Sequence, residues 1–355
     1  MDVIDLKSML PEELEAFLIS IGEPKFRAKQ VFSWLSKGVQ SFDEMRNLPF
    51  SLREKLASSA YIDRLTLLDQ QVSRIDGTTK YLWELRDGNA VETVVMRYDY
   101  GLSVCISSQV GCRQGCAFCA STIGGLVRNL TASEMLDEVL YSQLAQGERI
   151  SRIVLMGIGE PLDNYDAVLR FLHLVNHPDG LNIGMRHISL STCGITDRID
   201  ALAKEDLQLT LAISLHAPDD ETRNLLMPSN RSRGVESVIS ACERYYETTG
   251  RRVSFEYAMI DGVNDSPQQA MQLAALSRRV KAHINLIPLN HVEERRFAPS
   301  GQERFQSFCR ILDEKNANYT VRRSLGGDVD AACGQLRRKR EKRQTGLLSE
   351  TMNDT

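Results

Sequence analysis

The hydrophobic rhythm of the chain changes near residue 100. Beyond that point the apolar runs VCISS, RIVLMG, HISLST, LTLAISLH, VSFEYAMI and HINLIPLN each precede a longer stretch whose apolar positions recur with helical spacing. Repeated strand–helix units predict parallel strands joined by crossover helices, either a barrel or a doubly wound sheet. In both arrangements functional groups gather at the C-terminal ends of the strands. Polar motifs lie at four such ends: MGIGEP after RIVL, STCG after HISL, SLHAP after LTLAI, and LIPLN.

Before residue 95 the pattern is different. PEELEAFLISIG and KFRAKQVFSWLSK are short amphipathic helical patterns separated by Gly22 and Pro24, and SLREKLASS adds a third. Alternating runs around TLLDQQVSRI, TKYLWELR and AVETVVMRY follow, divided by the hairpin signals Asp76-Gly77 and Asp87-Gly88. We therefore expect a helical accessory unit with a linking β-meander over residues 1–95. An α/β unit over 96–335 and a basic tail without fixed structure over 336–355 complete the expected organisation.

The first parallel strand is followed by CRQGCAFC, which holds Cys112, Cys116 and Cys119. Three thiolates in so short a span are one donor short of a closed zinc tetrahedron. On a 4Fe-4S cluster the same three would leave one iron open to a non-protein ligand. Zinc would require a distant fourth donor such as His187 or His216, and spacing alone leaves both readings open. In GIGE, Gly157 and Gly159 permit close approach, while Glu160 and nearby carbonyls are acceptors suited to an ammonium group. A dinucleotide loop would want a third glycine where Leu162 stands, and Pro161 intervenes. Ser191, Ser214 and His216 either cap helices or face the same site. Cys242 and Cys309 fall in helical patterns and read as small buried hydrophobes.

Composition fits a folded enzyme: 355 residues, 42% hydrophobic and 25% charged. Eight cysteines, three of them clustered, are too few for a disulfide scaffold and suit a reducing compartment. No run approaches the ~20 apolar residues of a membrane span, and MDVIDLKSML lacks the features of a signal peptide, so a cytoplasmic location is expected. A net charge of −4 does not announce a nucleic-acid partner. Basic charge is local, in Arg322-Arg323 and in RRKREKR immediately after the Cys333 loop.

The motifs together carry a resemblance. A first strand followed by CxxxCxxC, with Phe118 before the last cysteine and GIGE after the second strand, resembles the radical S-adenosylmethionine superfamily, whose usual fold is a partial (βα)6 barrel of the TIM type. VCISSQVGCRQGCAFCASTIGGLVRNLTASE, MGIGEPLDN, ISLHAPDDETRNLLMP, INLIPLN and DVDAACGQL, with SFDEMRNLPFSLREKL and AVETVVMRY before them, resemble the RlmN/Cfr family of RNA adenine methyltransferases over nearly the whole chain.

The resemblance implies a 4Fe-4S cluster on Cys112, Cys116 and Cys119, with S-adenosylmethionine bound by Gly159, Glu160, Ser191, Ser214, Leu215, His216 and Asn290. It implies Cys333 as the methyl carrier through an S-methylcysteine, Cys105 as the thiol that resolves it through a transient disulfide, and Glu92 as proton acceptor. Judged without the resemblance, Glu92 reads as a solvated strand residue and Cys105 as a core strand residue. Carbon 2 and carbon 8 of adenine are electrophilic and cannot attack a sulfonium, which is why radical cofactor chemistry is implied. The implied partners are 23S ribosomal RNA, transfer RNA beside the anticodon, and an electron donor such as flavodoxin or ferredoxin, with the enzyme a monomer. Carbon 2 is the implied position, and carbon 8, as in resistance enzymes, is the alternative. One departure is Cys193, where the family usually shows serine or another small residue. Two other classes stay open: a radical enzyme acting on a peptide or metabolite, and a zinc-stabilised RNA-binding protein.

Overall fold

The computed structural model describes residues 3–290, 292, 294–323, 325–329, 334–340 and 346. Its centre is one curled ten-stranded sheet whose spatial order follows the chain. Three antiparallel strands come first: β1 (Thr66–Val72), β2 (Thr79–Glu84) and β3 (Ala90–Tyr98). β3 pairs antiparallel with β4 (Gly101–Cys105), and from there every neighbour is parallel: β5 (Ile150–Leu155), β6 (Ile188–Thr192), β7 (Thr210–Ser214), β8 (Ser254–Met259), β9 (His283–Pro288) and β10 (Tyr319–Val321).

All six strands expected from the apolar runs are present, and each is followed by a helix. The sheet differs from expectation at its two flanks. The meander is not a separate linker, because β3 hydrogen-bonds to β4 from Val94 through Tyr98, so the boundary at 95/96 falls inside a barrel strand. The short β10 has a mostly exposed face and carries no apolar run to reveal it. Likewise, the tail expected from residue 336 begins as a helix over 335–340 with Leu336 buried.

Three helices form the N-terminal unit: α1 (Pro11–Ser20), α2 (Phe26–Leu35) and α3 (Phe50–Ser59). Their inward residues, among them Leu14, Leu18, Val31, Leu35, Leu52 and Leu56, join the main core. The unit docks on α4 (Ala132–Gln146) through Lys7, whose ammonium lies 2.7 Å from Asp137 and donates to the Asp63 carbonyl at 2.6 Å, all of it buried. Thr131 and Glu134 cap the start of α4 reciprocally, and Gly147 ends it with φ 63°. The remaining helices, α5 (Tyr165–Asn176), α6 (Thr196–Leu202), α7 (Asp220–Leu226), α8 (Gly234–Thr249), α9 (Pro267–Arg279) and α10 (Gln302–Glu314), include the crossovers of the barrel. No helix among the described residues is long and apolar enough to cross a membrane.

Candidate active site

Past β4, residues Gln109–Gly111 and Leu126–Asn129 pair as a two-stranded hairpin, and the cysteine loop is its tip. Gly111 holds φ +78°, and a Cβ there would fall 2.0 Å from the Gly125 carbonyl, so only glycine closes this base. The loop is fixed by its own polar groups. The Cys112 amide donates to Gly125 O at 3.0 Å, and the Thr122 hydroxyl donates to the carbonyls of Cys116 and Cys119 at 3.1 and 3.0 Å. Two long-range contacts pin it from outside: Ala117 N donates to Leu226 O at 2.8 Å, and the Arg295 guanidinium donates to Cys119 O at 2.8 Å and to Thr122 Oγ1 at 2.7 Å.

Cys112, Cys116 and Cys119 line one cavity of about 230 Å³ together with Gly159, Glu160, Ser191, Ser214 and His216. Thus the thiols and the ends of β5, β6 and β7, remote in sequence, meet at one mouth. A second, more apolar cavity of about 290 Å³ adjoins it and holds Cys105, Val94, Met96 and, at its rim, Asn290. Phe118, Cys119, His216 and Arg322 are shared by both walls. Of the expected residues, Leu215 lines neither cavity; its side chain is fully buried and its carbonyl accepts from Arg223 at 3.0 Å. Cys333 lies outside the described residues.

Several polar side chains that line the pocket, Glu160, Ser191 and His216 among them, are themselves buried. Gly159 has φ +112°, and a Cβ would stand 2.7 Å from both Ser108 Oγ and Gln109 Cβ. Glu160 accepts the amides of Cys193 at 2.7 Å and Leu162 at 3.1 Å, while burial holds its carboxyl above the usual range. Ser191 and Ser214 share a hydrogen bond of 3.1 Å. The Ala258 amide donates to His216 Nδ1 at 3.0 Å, which leaves the proton of the neutral ring on Nε2. Burial, and then the Arg223 charge, push the His216 pKa down to about 3, so the ring is neutral and Nε2–H is a fixed donor.

Sequence reasoning missed three members. Glu256, register partner of Ser214, is buried; Asn285 donates to its Oε1 at 2.7 Å, whereas Oε2 accepts no hydrogen bond from the described residues and stands 4.0 Å from Arg322. A lone carboxylate inside the apolar run VSFEYAMI was the available signal. Arg223 donates to the carbonyls of Cys193, Ser214 and Leu215, tying the ends of β6 and β7 together. Arg295 holds the cysteine loop, and nothing in sequence distinguishes either arginine from a solvated one. Glu92, read from residues alone as solvated, is 3% exposed and lines neither cavity; it pairs with Lys80 at 2.9 Å.

The residues present fit a cluster and its ligand. Among the described residues no three His, Cys, Asp or Glu side chains gather closely enough to hold a metal ion. The three thiols share one cavity wall instead, which suits a polynuclear cluster that takes one thiolate per iron. Burial pushes the Cys112 thiol up to about 12 and raises Cys116 as well, so these are neutral thiols that ionise on metal binding. Glu256 Oε2, which takes no hydrogen bond from the described residues, and His216 Nε2–H offer an acceptor and a donor to the ligand's polar groups.

A partial barrel with three loop thiols beside a glycine-lined pocket defines a radical S-adenosylmethionine enzyme, and the family model of that superfamily matches residues 106–274. The ribosomal RNA large subunit methyltransferase N-terminal domain matches residues 4–62. The probable dual-specificity RNA methyltransferase RlmN of Lachnoclostridium phytofermentans is 52% identical over 94% of this chain and 94% of its own. Its counterpart in Symbiobacterium thermophilum is 52% identical over 96% of this chain and 93% of its own. A crystal structure of a radical SAM methyltransferase from Sphaerobacter thermophilus matches with TM-score 0.89 and 42% identity, covering 94% of this chain and 98% of that one. The chain belongs to the RlmN family of S-adenosylmethionine-dependent radical RNA methyltransferases.

Proposed function

We propose that this enzyme methylates carbon 2 of adenosine in 23S ribosomal RNA and in transfer RNA beside the anticodon. It acts through an S-methylcysteine on Cys333 and consumes two molecules of S-adenosylmethionine per turnover. The observation that carries the reading is the pair of adjoining cavities, one lined by the cluster thiols and one by Cys105, with Cys119, Phe118 and His216 in the wall between them. A cluster on Cys112, Cys116 and Cys119 with S-adenosylmethionine beside it supplies one-electron chemistry. Glu160, Ser191, Ser214, His216 and Asn290 orient the cofactor, and Gly159 makes room for it. Cys333 presents the carbon to the base, and Glu92 takes the proton from the adenine carbon. Cys105 then attacks the sulfur of Cys333; the carbon–sulfur bond breaks with its electron pair going to carbon, which takes up a proton. An external dithiol reductant returns the disulfide to two thiols before the next cycle, itself becoming a disulfide.

In this reading residues 1–95 help to bind RNA, aided by the basic residues after Cys333. Flavodoxin or ferredoxin supplies the electron, and the enzyme works as a cytoplasmic monomer. The test is nucleoside mass spectrometry after incubating anaerobically reconstituted enzyme with S-adenosylmethionine, a reductant, and unmodified ribosomal and transfer RNA. 2-Methyladenosine supports the proposal. 8-Methyladenosine moves the chain to the carbon-8 group, and cofactor cleavage to 5′-deoxyadenosine without any methyladenosine overturns it.

A further inference from the structure

Glu92 does more than balance a buried lysine. Its Oε2 accepts the Gly334 amide at 2.6 Å and lies 2.9 Å from the Lys80 ammonium, and its Oε1 accepts the Arg337 amide at 2.7 Å. The Lys80 and Glu92 side chains are 0% and 2% exposed. Gly334 is bonded directly to Cys333, and it packs so closely that a Cβ would stand 3.0 Å from Ser121 N in the cysteine loop.

The same segment is tied down on its other side. Asp328 accepts Ser73 Oγ at 2.6 Å and Arg74 N at 2.8 Å, and the Gly326 amide donates to Asp76 at 2.8 Å. Residues 73–76 belong to the β1–β2 turn, while Lys80 and Glu92 lie on β2 and β3. The meander therefore holds the chain on both sides of residue 333, which gives a physical purpose to its extension of the barrel sheet. It also creates a conflict. A carboxylate covered by the backbone it holds cannot meet the hydrogen of a substrate carbon.

We propose that Lys80 and Glu92 form a latch on the Gly334 and Arg337 amides, docking residues 334–337 in the resting enzyme, and that RNA binding opens this latch to free Glu92. Lys80 is thus a positioning residue. The inference rests on the proposed roles of Cys333 and Glu92. If the RNA-competent state is the open one, the apparent RNA affinity is reduced by the fraction closed, so weakening the latch tightens apparent binding.

Hydrogen–deuterium exchange of the full-length reconstituted enzyme tests this, read at peptides covering 334–340, with β4 and α4 as controls for folding. Lys80→Met is expected to speed exchange at 334–337 by about tenfold, with the controls unchanged. It is also expected to lower the KM for RNA by about threefold, a gain that damage to the fold does not produce. Unmodified 23S RNA added to the unmutated enzyme is expected to speed the same amides. Unchanged exchange in a folded Lys80→Met enzyme, or an RNA KM that is unchanged or raised, overturns the latch. Should Lys80→Met fail to fold, the unmutated enzyme decides: amides at 334–337 that stay protected through turnover overturn it. Failure of the underlying reading shows separately, as a Cys333 peptide that never gains the mass of a methyl group.

Discussion

Arg223 donates to the carbonyl of Cys193 at 2.6 Å from a position that is 1% exposed. With further bonds to Ser214 O at 3.3 Å, Leu215 O at 3.0 Å and Asn230 Oδ1 at 2.5 Å, one planar guanidinium fixes the ends of two strands that carry site residues. Lysine has the charge but not the fork. Arg223→Lys should therefore leave several buried carbonyls unpaired and lower stability by about 2–4 kcal/mol, checked by urea denaturation of the apoprotein.

At Gly159 a single added methyl group would intrude on the proposed cofactor pocket. With φ +112°, and with Ser108 Oγ only 2.7 Å from where a Cβ would stand, Gly159→Ala must displace the β5 turn from the pocket. Iron content and cluster absorption should persist, since the cysteine loop is held independently. Affinity for S-adenosylmethionine should fall by about tenfold or more, read by equilibrium dialysis.

Cys193 contributes its backbone to the site. Its amide donates to Glu160 at 2.7 Å, and its thiol, raised well above the ordinary range by burial, donates to Gln114 Oε1 at 3.4 Å. Cys193→Ser preserves the amide and offers a hydroxyl to Gln114. Iron per chain should match the unmutated enzyme, whereas Cys116→Ala should lose the cluster band.

Glu138 is fully buried on α4, accepting Ser107 N with both oxygens and Thr93 Oγ1 at 2.7 Å. Burial raises its pKa well above the usual range, and glutamine reproduces its shape without the charge. Glu138→Gln should change stability by less than about 1 kcal/mol, and Glu138→Ala by about 2–4 kcal/mol through an unpaired amide and a cavity. Thermal denaturation of both variants separates the outcomes.

Asp63 links the N-terminal unit to pH. Burial, helped by the Glu134 charge, raises its pKa to about 6. A carboxyl whose folded pKa is raised favours the folded state below the unfolded value, about 4, and that contribution is lost as pH rises toward 6. Asp63→Asn should therefore flatten the decline in stability between pH 4 and about 6 and stabilise the protein at pH 7 by about 1–3 kcal/mol. Denaturant titrations of both proteins at pH 5 and pH 7 provide the comparison.

Much of this protein was determined by the sequence itself. Apolar runs such as RIVLMG and HINLIPLN, each followed by a stretch of helical period, fit parallel strands under helices, so the six strand–helix units were legible from local pattern. The three cysteines of CRQGCAFC, eight residues end to end, declared a metal-type site by spacing, because ligands so close in the chain need no fold to bring them together, while the choice between zinc and an iron–sulfur cluster rested on the other motifs. Other relations had no local signature. Arg223 and Arg295 act on carbonyls, which every residue possesses, and Lys80 and Glu92 become a buried pair only because β2 and β3 lie side by side. The tertiary structure alone decided that the meander joins the barrel and holds the chain around residue 333. Pairing of strand edges and burial of charge depend on what stands opposite, and the sequence does not state what stands opposite until the chain has folded.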